Sequence, residues 1–429
     1  MHNNSYSFKP KKHKACVFYN TSSLSKKHSK EQRPKASKVS WLVFLATLFI
    51  VLFSLTTVLF PSLVIRSSSP FTGTPINPYE TGVWTYPLLA TNFILLGIAI
   101  LYKKNKISQI IKPIKFVFDF EVSKETAFIV MIIFLATYAS LTIPELSQEE
   151  GWDDYPAVKQ RVQDWNPSQI ASSFEPHLRY MFLFASLNIF GNIRVLPFIA
   201  SIALVVLTYF ITKELSKKRF AALVAVAILL QSSTFLSYDT SATYDSLWAL
   251  LYVLSLYLIY KKWFLSPPSF LASIPAKALT AMFLPMTLFF IYRSNLPRQK
   301  KKILAIIYGA IIIAGIAVSV TGISTLGSTI GYDPHDFWRG FTAWAFQMRF
   351  DVIVLFFMLP LIVGLFVISR RGITHADSIM VLIMGMLLSA PILQGFTNQT
   401  IQPYRFVPLV VFFAMGVGTI LSKRSSEKV

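Results

Sequence analysis

The sequence predicts an all-α protein that crosses a membrane many times, with about 10 to 13 membrane helices. Its 429 residues are 54% hydrophobic and only 14% charged, whereas a soluble domain carries about 25% charged residues. Segments such as 41–60 and 303–320 contain no charged side chain over about the 20 residues that a spanning helix needs. Lysine and arginine collect in alternate connections between such segments, a pattern typical of polytopic membrane proteins.

Hydropathy marks the individual spans. The segments with the apolar length of a spanning helix are 41–60, 85–102, 126–143, 195–212, 220–236, 246–260, 303–320, 350–368, 378–394 and 405–421. Residues 177–191 are apolar but too short to span, so they are predicted to form a helix in or on the outer leaflet. Residues 263–292 are interrupted by four prolines, which predicts two short, broken helices or a re-entrant hairpin.

The charge distribution predicts the orientation and the partners. A net charge of +21 could indicate nucleic-acid binding. Its lysines and arginines, however, lie where the positive-inside rule places cytoplasmic connections. We therefore expect the lipid bilayer of a cell membrane, and no nucleic acid, as a partner, with both termini cytoplasmic and the acid-rich connections extracytoplasmic. The single cysteine, Cys16, excludes an intramolecular disulfide.

The same patterns divide the chain into four parts. Residues 1–40 are predicted to be a basic, disordered cytoplasmic tail, and residues 422–429 a short cytoplasmic tail. Residues 41–125 are predicted to form an N-terminal pair of spans with a basic loop. Residues 126–421 are predicted to form the transmembrane core, with juxtamembrane helices in its first outer loop.

The candidate chemical groups all lie in connections on the acid-rich side. The loop 144–176 carries seven carboxylates, including the adjacent Asp153 and Asp154. A carboxylate there can act as a general base, bind a metal ion or simply be solvated. Asp245 directly precedes an apolar segment, so it can cap a helix or serve a site. Arg405 follows Tyr404 at the start of the last span, where it can be an interfacial anchor or a guanidinium that binds phosphate.

Several stretches carry, in order, a resemblance to a known family. They are "GWDDYPAV", "FEPHLRYMFLFASLNIFG", "IRVLPFIASIALVVLTYFITKEL", "YDTSATYDSLWALL", "PAKALTAMFLPMTLFFIYR" and "QPYRFVPLVVFFAMGVGTIL". Over about residues 126–421 the chain resembles the GT-C membrane glycosyltransferases. These include protein O-mannosyltransferases, lipid A aminoarabinose transferases and catalytic subunits of oligosaccharyltransferases. The sequence has no GxxxxGK[ST] loop for a nucleotide, and no HExxH, paired CxxC or GxSxG motif.

The resemblance implies sugar transfer at the outer face of the membrane. The donor would be a polyprenyl-phosphate-linked sugar, the acceptor a protein, lipid or glycan, and the anomeric carbon would be inverted. Asp153 would act as the base with Asp154 beside it, and Asp153 and Asp245 could hold a divalent metal ion, Mg²⁺ or Mn²⁺. The residues implied in substrate binding are Glu175, His177, Arg179, Asp245, Tyr404 and Arg405.

Two other functions fit the sequence and make different predictions. A transporter or lipid flippase would also have many spans, and it predicts charges within them and two related halves. A non-catalytic assembly factor with a GT-C-like shell predicts outer acids that do not converge. The enzyme predicts that Asp153, Glu175 and Asp245 surround one outward-facing cavity, with Arg405 on its rim.

Overall fold

A computed structural model of the chain describes residues 38–62, 79–104, 115–166, 177–320, 331–397 and 402–422. All regular secondary structure within these ranges is helical, which confirms the predicted all-α class. The principal helices are α1 (Lys38–Leu59), α2 (Thr85–Lys103), α3 (Lys124–Thr142), α4 (Tyr155–Gln163), α5 (His177–Phe190), α6 (Val195–Ser216), α7 (Arg219–Leu229), α8 (Ser233–Leu236), α9 (Leu247–Lys261), α10 (Ser266–Ala276), α11 (Leu284–Arg293), α12 (Arg298–Val320), α13 (Pro334–Phe346), α14 (Val352–Ser369), α15 (His375–Thr397) and α16 (Val407–Ile420).

Six helical segments of the described ranges are long and apolar enough to cross a membrane. They are Lys38–Leu59, Lys124–Ser147, Val195–Ser216, Val352–Ser369, His375–Phe396 and Pro403–Ile420. The chain is therefore a helical membrane protein with several spans. Other predicted spans form shorter helices: α9 has 15 residues, and segment 220–236 is divided between α7 and the four-residue α8.

Apolar side chains lie both inside and outside the helix bundle, as expected where the solvent is lipid. Trp248 and Tyr252 are fully buried between helices, whereas Phe93 on α2 is 67% exposed. Gly418 lets α16 approach α6 closely, because a Cβ atom at that position would lie 2.3 Å from the side chain of Thr212. Small residues of this kind allow neighbouring membrane helices to pack backbone against backbone.

Four helix termini meet at Asp377, at what we call the basic end of the bundle. The Asp377 carboxylate accepts hydrogen bonds from Ser40 Oγ at 2.8 Å and Ser369 Oγ at 2.5 Å, and it pairs with Arg293. These contacts join the start of α1 to the core, and α1 also packs along α13, α14 and α15. The helices run from this end to the opposite one, which contains loop 143–154 and turn 237–246 and is called the acid-rich end.

Residues 263–292 form a broken hairpin, as predicted. Helix α10 is followed by a 3₁₀ segment (Ala278–Phe283) and by α11, with Pro275 in the last turn of α10 and Pro285 in the first turn of α11. The hairpin leaves the end of α9 and returns to Arg293 at the basic end. Lys277, at its tip, donates a hydrogen bond to the hydroxyl of Tyr404 at the acid-rich end. The hairpin therefore places the ammonium group of Lys277 near the acid-rich end of the bundle.

Candidate functional site

A cavity of 310 Å³ opens at the acid-rich end, between α4, α5, turn 237–246 and the start of the last span. Its lining residues are Asp154, Ala157, Val158, Arg161, Arg179, Tyr180, Thr243, Tyr244 and Tyr404. Helix α4 is placed by its apolar face, because Tyr155, Val158 and Val162 pack into a small core with Tyr180 and Leu183 of α5. That spacing leaves the polar face of α4 towards water and sets Asp154 at the mouth of the cavity.

The two adjacent aspartates face different surroundings. Asp154 immediately precedes α4, and its Oδ2 accepts a hydrogen bond from the hydroxyl of Tyr244 at 2.9 Å. Burial raises the pKa of Tyr244, and the bond to Asp154 raises it further, so the phenol stays protonated as a donor. Asp153 is exposed in the preceding turn and does not line this cavity. Of the pair, only Asp154 joins the cluster.

Arg179 and Asp245 form a nearly buried ion pair behind the cavity wall. Their side chains are 14% and 4% exposed, and Arg179 Nε lies 2.9 Å from Asp245 Oδ2. Arg179 also donates to the carbonyl oxygens of Ala242 and Thr243. Asp245 Oδ1 accepts the backbone N–H of Leu247 at 3.1 Å, so this residue caps α9 as well as neutralising Arg179. Burial raises the pKa of the Asp245 carboxyl, and the charge of Arg179 opposes that rise.

Tyr404 connects the cavity to two further cations. Its ring stacks on that of Tyr244, with centroids 4.5 Å apart. Its hydroxyl accepts hydrogen bonds from Lys277 Nζ at 2.5 Å and from Arg405 Nε at 3.4 Å. Arg405 is only 6% exposed, so it is a buried group beneath the cavity rather than an interfacial anchor at the surface.

Two predicted site residues are described incompletely or not at all. Glu175 lies outside the described residues. His177 begins α5, and only its backbone is described. The prediction placed Asp153, Glu175 and Asp245 around one cavity with Arg405 on its rim. Asp153 does not line this cavity, and Arg405 is buried next to Tyr404. Asp154, Arg179 and Tyr404 line it, and Asp245 pairs with Arg179.

The wall of the cavity is held in place by a set of hydrogen bonds that the sequence did not predict, which we call the clamp of Glu150. The carboxylate of Glu150 accepts hydrogen bonds from Ser241 Oγ at 2.9 Å and from the backbone N–H groups of Ala242 and Thr243. Arg194 lies 3.6 Å from Glu150 and donates to the backbone oxygen and the hydroxyl of Thr240. Loop 143–154, which carries Asp154, is thereby tied to the turn that carries Tyr244 and Asp245. The sequence does not single out Glu150, which is one of seven carboxylates in its loop, whereas Arg194 is the only charged residue of segment 180–212.

Lys277 was also missed, although the sequence contains a signal for it. It is the only charged residue of segment 263–292, and a lone charge within an apolar segment is expensive and usually functional. The proline breaks on both sides mark a segment that can place a side chain at membrane depth.

The charges around the cavity favour an anion. Four cationic side chains surround or underlie it, Arg161, Arg179, Lys277 and Arg405, against the carboxylates of Asp154 and Asp245. A metal ion fits less well. Within the described ranges, no three His, Cys, Asp or Glu side chains come close enough to hold one. Both oxygens of Asp245 face protein donors, and Asp153 is exposed and does not line the cavity.

No protein-family model, curated protein or solved structure matches this chain. A function can therefore be proposed only from the geometry of this cavity and from the resemblance of the sequence motifs to those of the GT-C glycosyltransferases.

Proposed function

We propose that the protein is a membrane glycosyltransferase of the GT-C type, which moves a sugar from a polyprenyl phosphate to an acceptor at the extracytoplasmic face. The observation that carries the proposal is the joint presence, at one cavity, of the Asp154 carboxylate and the Arg179 guanidinium. A sugar transfer from a lipid phosphate requires these two kinds of group, a base for the acceptor and a cation for the leaving phosphate.

The reaction assigns a role to each group. The acceptor oxygen attacks the anomeric carbon, the bond between that carbon and the phosphate oxygen breaks, and the acceptor proton passes to Asp154. Polyprenyl phosphate leaves with the electron pair of the broken bond, and its charge is stabilised by Arg179 and Lys277, with Arg405 behind them. Inversion follows because attack and departure take place on opposite faces of the sugar. Tyr244 orients the Asp154 carboxylate by its hydrogen bond.

The apolar flank of α5 gives the lipid a place next to the cavity. Met181, Ile189 and Phe190 of this helix are 45%, 68% and 48% exposed, and Arg179 and Tyr180 of the same helix line the cavity. A polyprenyl chain that lies on this flank in the bilayer can present its phosphate to Arg179. Helix α5 therefore supports the outer-leaflet position predicted for residues 177–191.

Asp154 and its neighbour Asp153 provide a matched test. Purified protein in lipid vesicles is supplied with radiolabelled polyprenyl-phosphate sugars, and label released from the lipid is measured. We expect D154N to lower the rate by about 10²–10⁴-fold, the usual contribution of a general base. D153N changes the same charge one residue away, at an exposed position, and should retain most of the activity.

Two results would contradict this proposal. If D154N transfers sugar at the wild-type rate, Asp154 is not the base. If the wild-type protein cleaves none of the donors but moves them across the vesicle membrane, the protein is a flippase. Equal thermal unfolding of both variants in detergent is the control for folding.

The orientation of the bundle is testable separately. We propose that about 10 to 13 helices cross the membrane and that the acid-rich end is extracytoplasmic, in accordance with the positive-inside rule. With Cys16 replaced by serine, single cysteines at Asp153 and at Lys217, both exposed, should react with an impermeant thiol reagent from opposite sides. Labelling of both from one side would refute this orientation.

A further inference from the structure

We propose that the acceptor is a neutral, hydroxyl-rich glycan, and that it binds in a second cavity on the other side of Trp152 from Asp154. This inference rests on the proposed function. The second cavity, which we call the acceptor groove, has a volume of 650 Å³. Its lining includes Glu145, Gln148, Gly151, Trp152 and Ser237.

The acceptor groove lies within reach of the cavity that holds Asp154. Trp152 forms the partition between them, since it lines the groove and its ring stacks on Tyr238 at 5.2 Å and meets the edge of Tyr244 at 5.4 Å. Tyr244 lines the other cavity and hydrogen-bonds Asp154. Gly151 lines the groove three residues before Asp154, a separation of at most about 11 Å along an extended chain. An acceptor in the groove can therefore extend one hydroxyl to Asp154.

The charge of the acceptor groove disfavours an anionic acceptor. Among its described lining residues the one cation is Arg194, which is 8% exposed and is already engaged by Glu150 and Thr240. The carboxylates of Glu145 and Glu149 are exposed at its edge. Glu149 is paired with Lys159, whereas Glu145 forms no ion pair with another described residue. A phospholipid phosphate or an acidic sugar would therefore meet the like charge of Glu145 there.

The hydrogen-bonding groups of the acceptor groove suit the hydroxyls of a sugar better than the cationic side chains of a basic peptide. Serine hydroxyls and the glutamine amide both donate and accept, as sugar hydroxyls do, whereas lysine and arginine side chains only donate. The side chains of Gln148 and Ser237 make no hydrogen bond with any other described residue, so they are available to a ligand. The apolar side chains among its described lining residues are Leu236 and Trp152, and an aromatic ring such as that of Trp152 can pack against the face of a sugar.

Substitutions at Gly151 can test whether the acceptor occupies the groove, without disturbing the fold. A Cβ atom added there meets no atom within 4 Å, so a larger side chain is tolerated at this position of the groove lining. G151F should raise the KM for a neutral oligosaccharide acceptor at least tenfold, while G151A stays close to wild type. Gly97 on α2 is equally open and far along the chain from the groove, so G97F is the matched control and should change nothing.

The assay uses full-length protein in vesicles with labelled donor and three acceptors: neutral oligosaccharides, a basic serine- and threonine-containing peptide, and an anionic glycolipid. Label in the oligosaccharides, reduced in G151F, supports the inference. Label in the peptide or the glycolipid, or an unchanged KM in G151F, overturns it. Slow hydrolysis of the donor without acceptor reports the proposed function alone, and it should be equal in wild type and the control G97F.

Binding of the oligosaccharides is measured in parallel by saturation-transfer NMR, without donor. Binding by wild type that is lost in G151F supports the groove even if no donor is cleaved. Absence of binding by wild type overturns the inference, whether or not donor hydrolysis is observed.

Discussion

The ion pair between Arg179 and Asp245 yields the sharpest prediction for stability. At 2.9 Å and an effective dielectric constant of about 20, the attraction between the two charges is about 6 kcal/mol, part of which offsets their desolvation. R179M leaves the Asp245 carboxylate buried without its partner. Such a change costs about 3–5 kcal/mol of unfolding free energy, equivalent to about 10²–10⁴-fold in the unfolding equilibrium.

A second substitution should recover part of this loss. Asparagine at position 245 is neutral and can still accept the backbone N–H of Leu247, so R179M/D245N should be more stable than R179M. The pH dependence adds a further test. Burial raises the pKa of Asp245, and the loss of Arg179 removes the largest of the effects that oppose this rise. The folded R179M protein then binds a proton that the unfolded chain releases, so its stability should increase more steeply as the pH falls than that of R179M/D245N, which lacks the Asp245 carboxyl.

The assay is equilibrium unfolding in mixed micelles titrated with a denaturing detergent, at several pH values. K159M is the control, because it breaks the pair between Lys159 and Glu149, whose side chains are 43% and 75% exposed. Exposed pairs contribute little, so K159M should unfold as wild type does. If R179M/D245N is less stable than R179M, or if K159M loses as much as R179M, the buried pair does not have the role assigned to it.

Three further predictions concern other parts of the bundle. K277M should lower the rate of donor cleavage about 10²–10³-fold, the usual effect of removing one group that stabilises the charge on a leaving group. An unchanged rate would exclude a contact between Lys277 and the phosphate. Burial raises the pKa of Asp239 to about 7, so the folded protein should lose up to about 4 kcal/mol of stability as the pH rises from about 4 to about 7. The free energy of unfolding, measured across this range, should depend less on pH in D239N. An equal slope in D239N and wild type would contradict that pKa. At the basic end, S40A removes one of several hydrogen bonds to Asp377 and should cost about 1 kcal/mol of unfolding free energy. D377N leaves the buried Arg293 guanidinium without its charged partner and should cost about 3–5 kcal/mol. Equal losses in the two variants, read from the same unfolding curves, would refute this ranking.

The helices and the hairpin could be predicted because their causes are local. Hydropathy over about 20 residues and the alternation of basic connections depend only on neighbouring sequence. The prolines of segment 263–292 remove backbone donors wherever the chain folds, and α10 and α11 are broken as predicted. Segment 220–236 was less predictable, because its apolar run continues past Leu229 while the helix does not.

The candidate site could be predicted only in part, because its contacts join distant stretches. Arg179 and Asp245 are 66 positions apart, and Lys277 and Tyr404 are 127 apart. Hydropathy indicates that each lies near one membrane face, but the pairing depends on how α5, α9 and the hairpin pack. The clamp of Glu150 was missed for the same reason, since its partners are the backbone N–H groups of a turn 92 and 93 residues later.

The adjacent aspartates show why the sequence could not distinguish the residue that we propose as the base from its neighbour. Asp153 and Asp154 share a charge, a loop and nearly the same distance from α3. What separates them is the start of α4: Tyr155 must turn inwards to reach the small core, and this sets Asp154 beside Tyr244 while Asp153 remains in water. Both aspartates are exposed, so they differ in the hydrogen bond that Asp154 accepts from Tyr244 and in the place of Asp154 in the cavity lining. The apolar residue that follows the pair therefore selects the second aspartate, so substitutions at Tyr155 should lower transfer without touching either carboxylate.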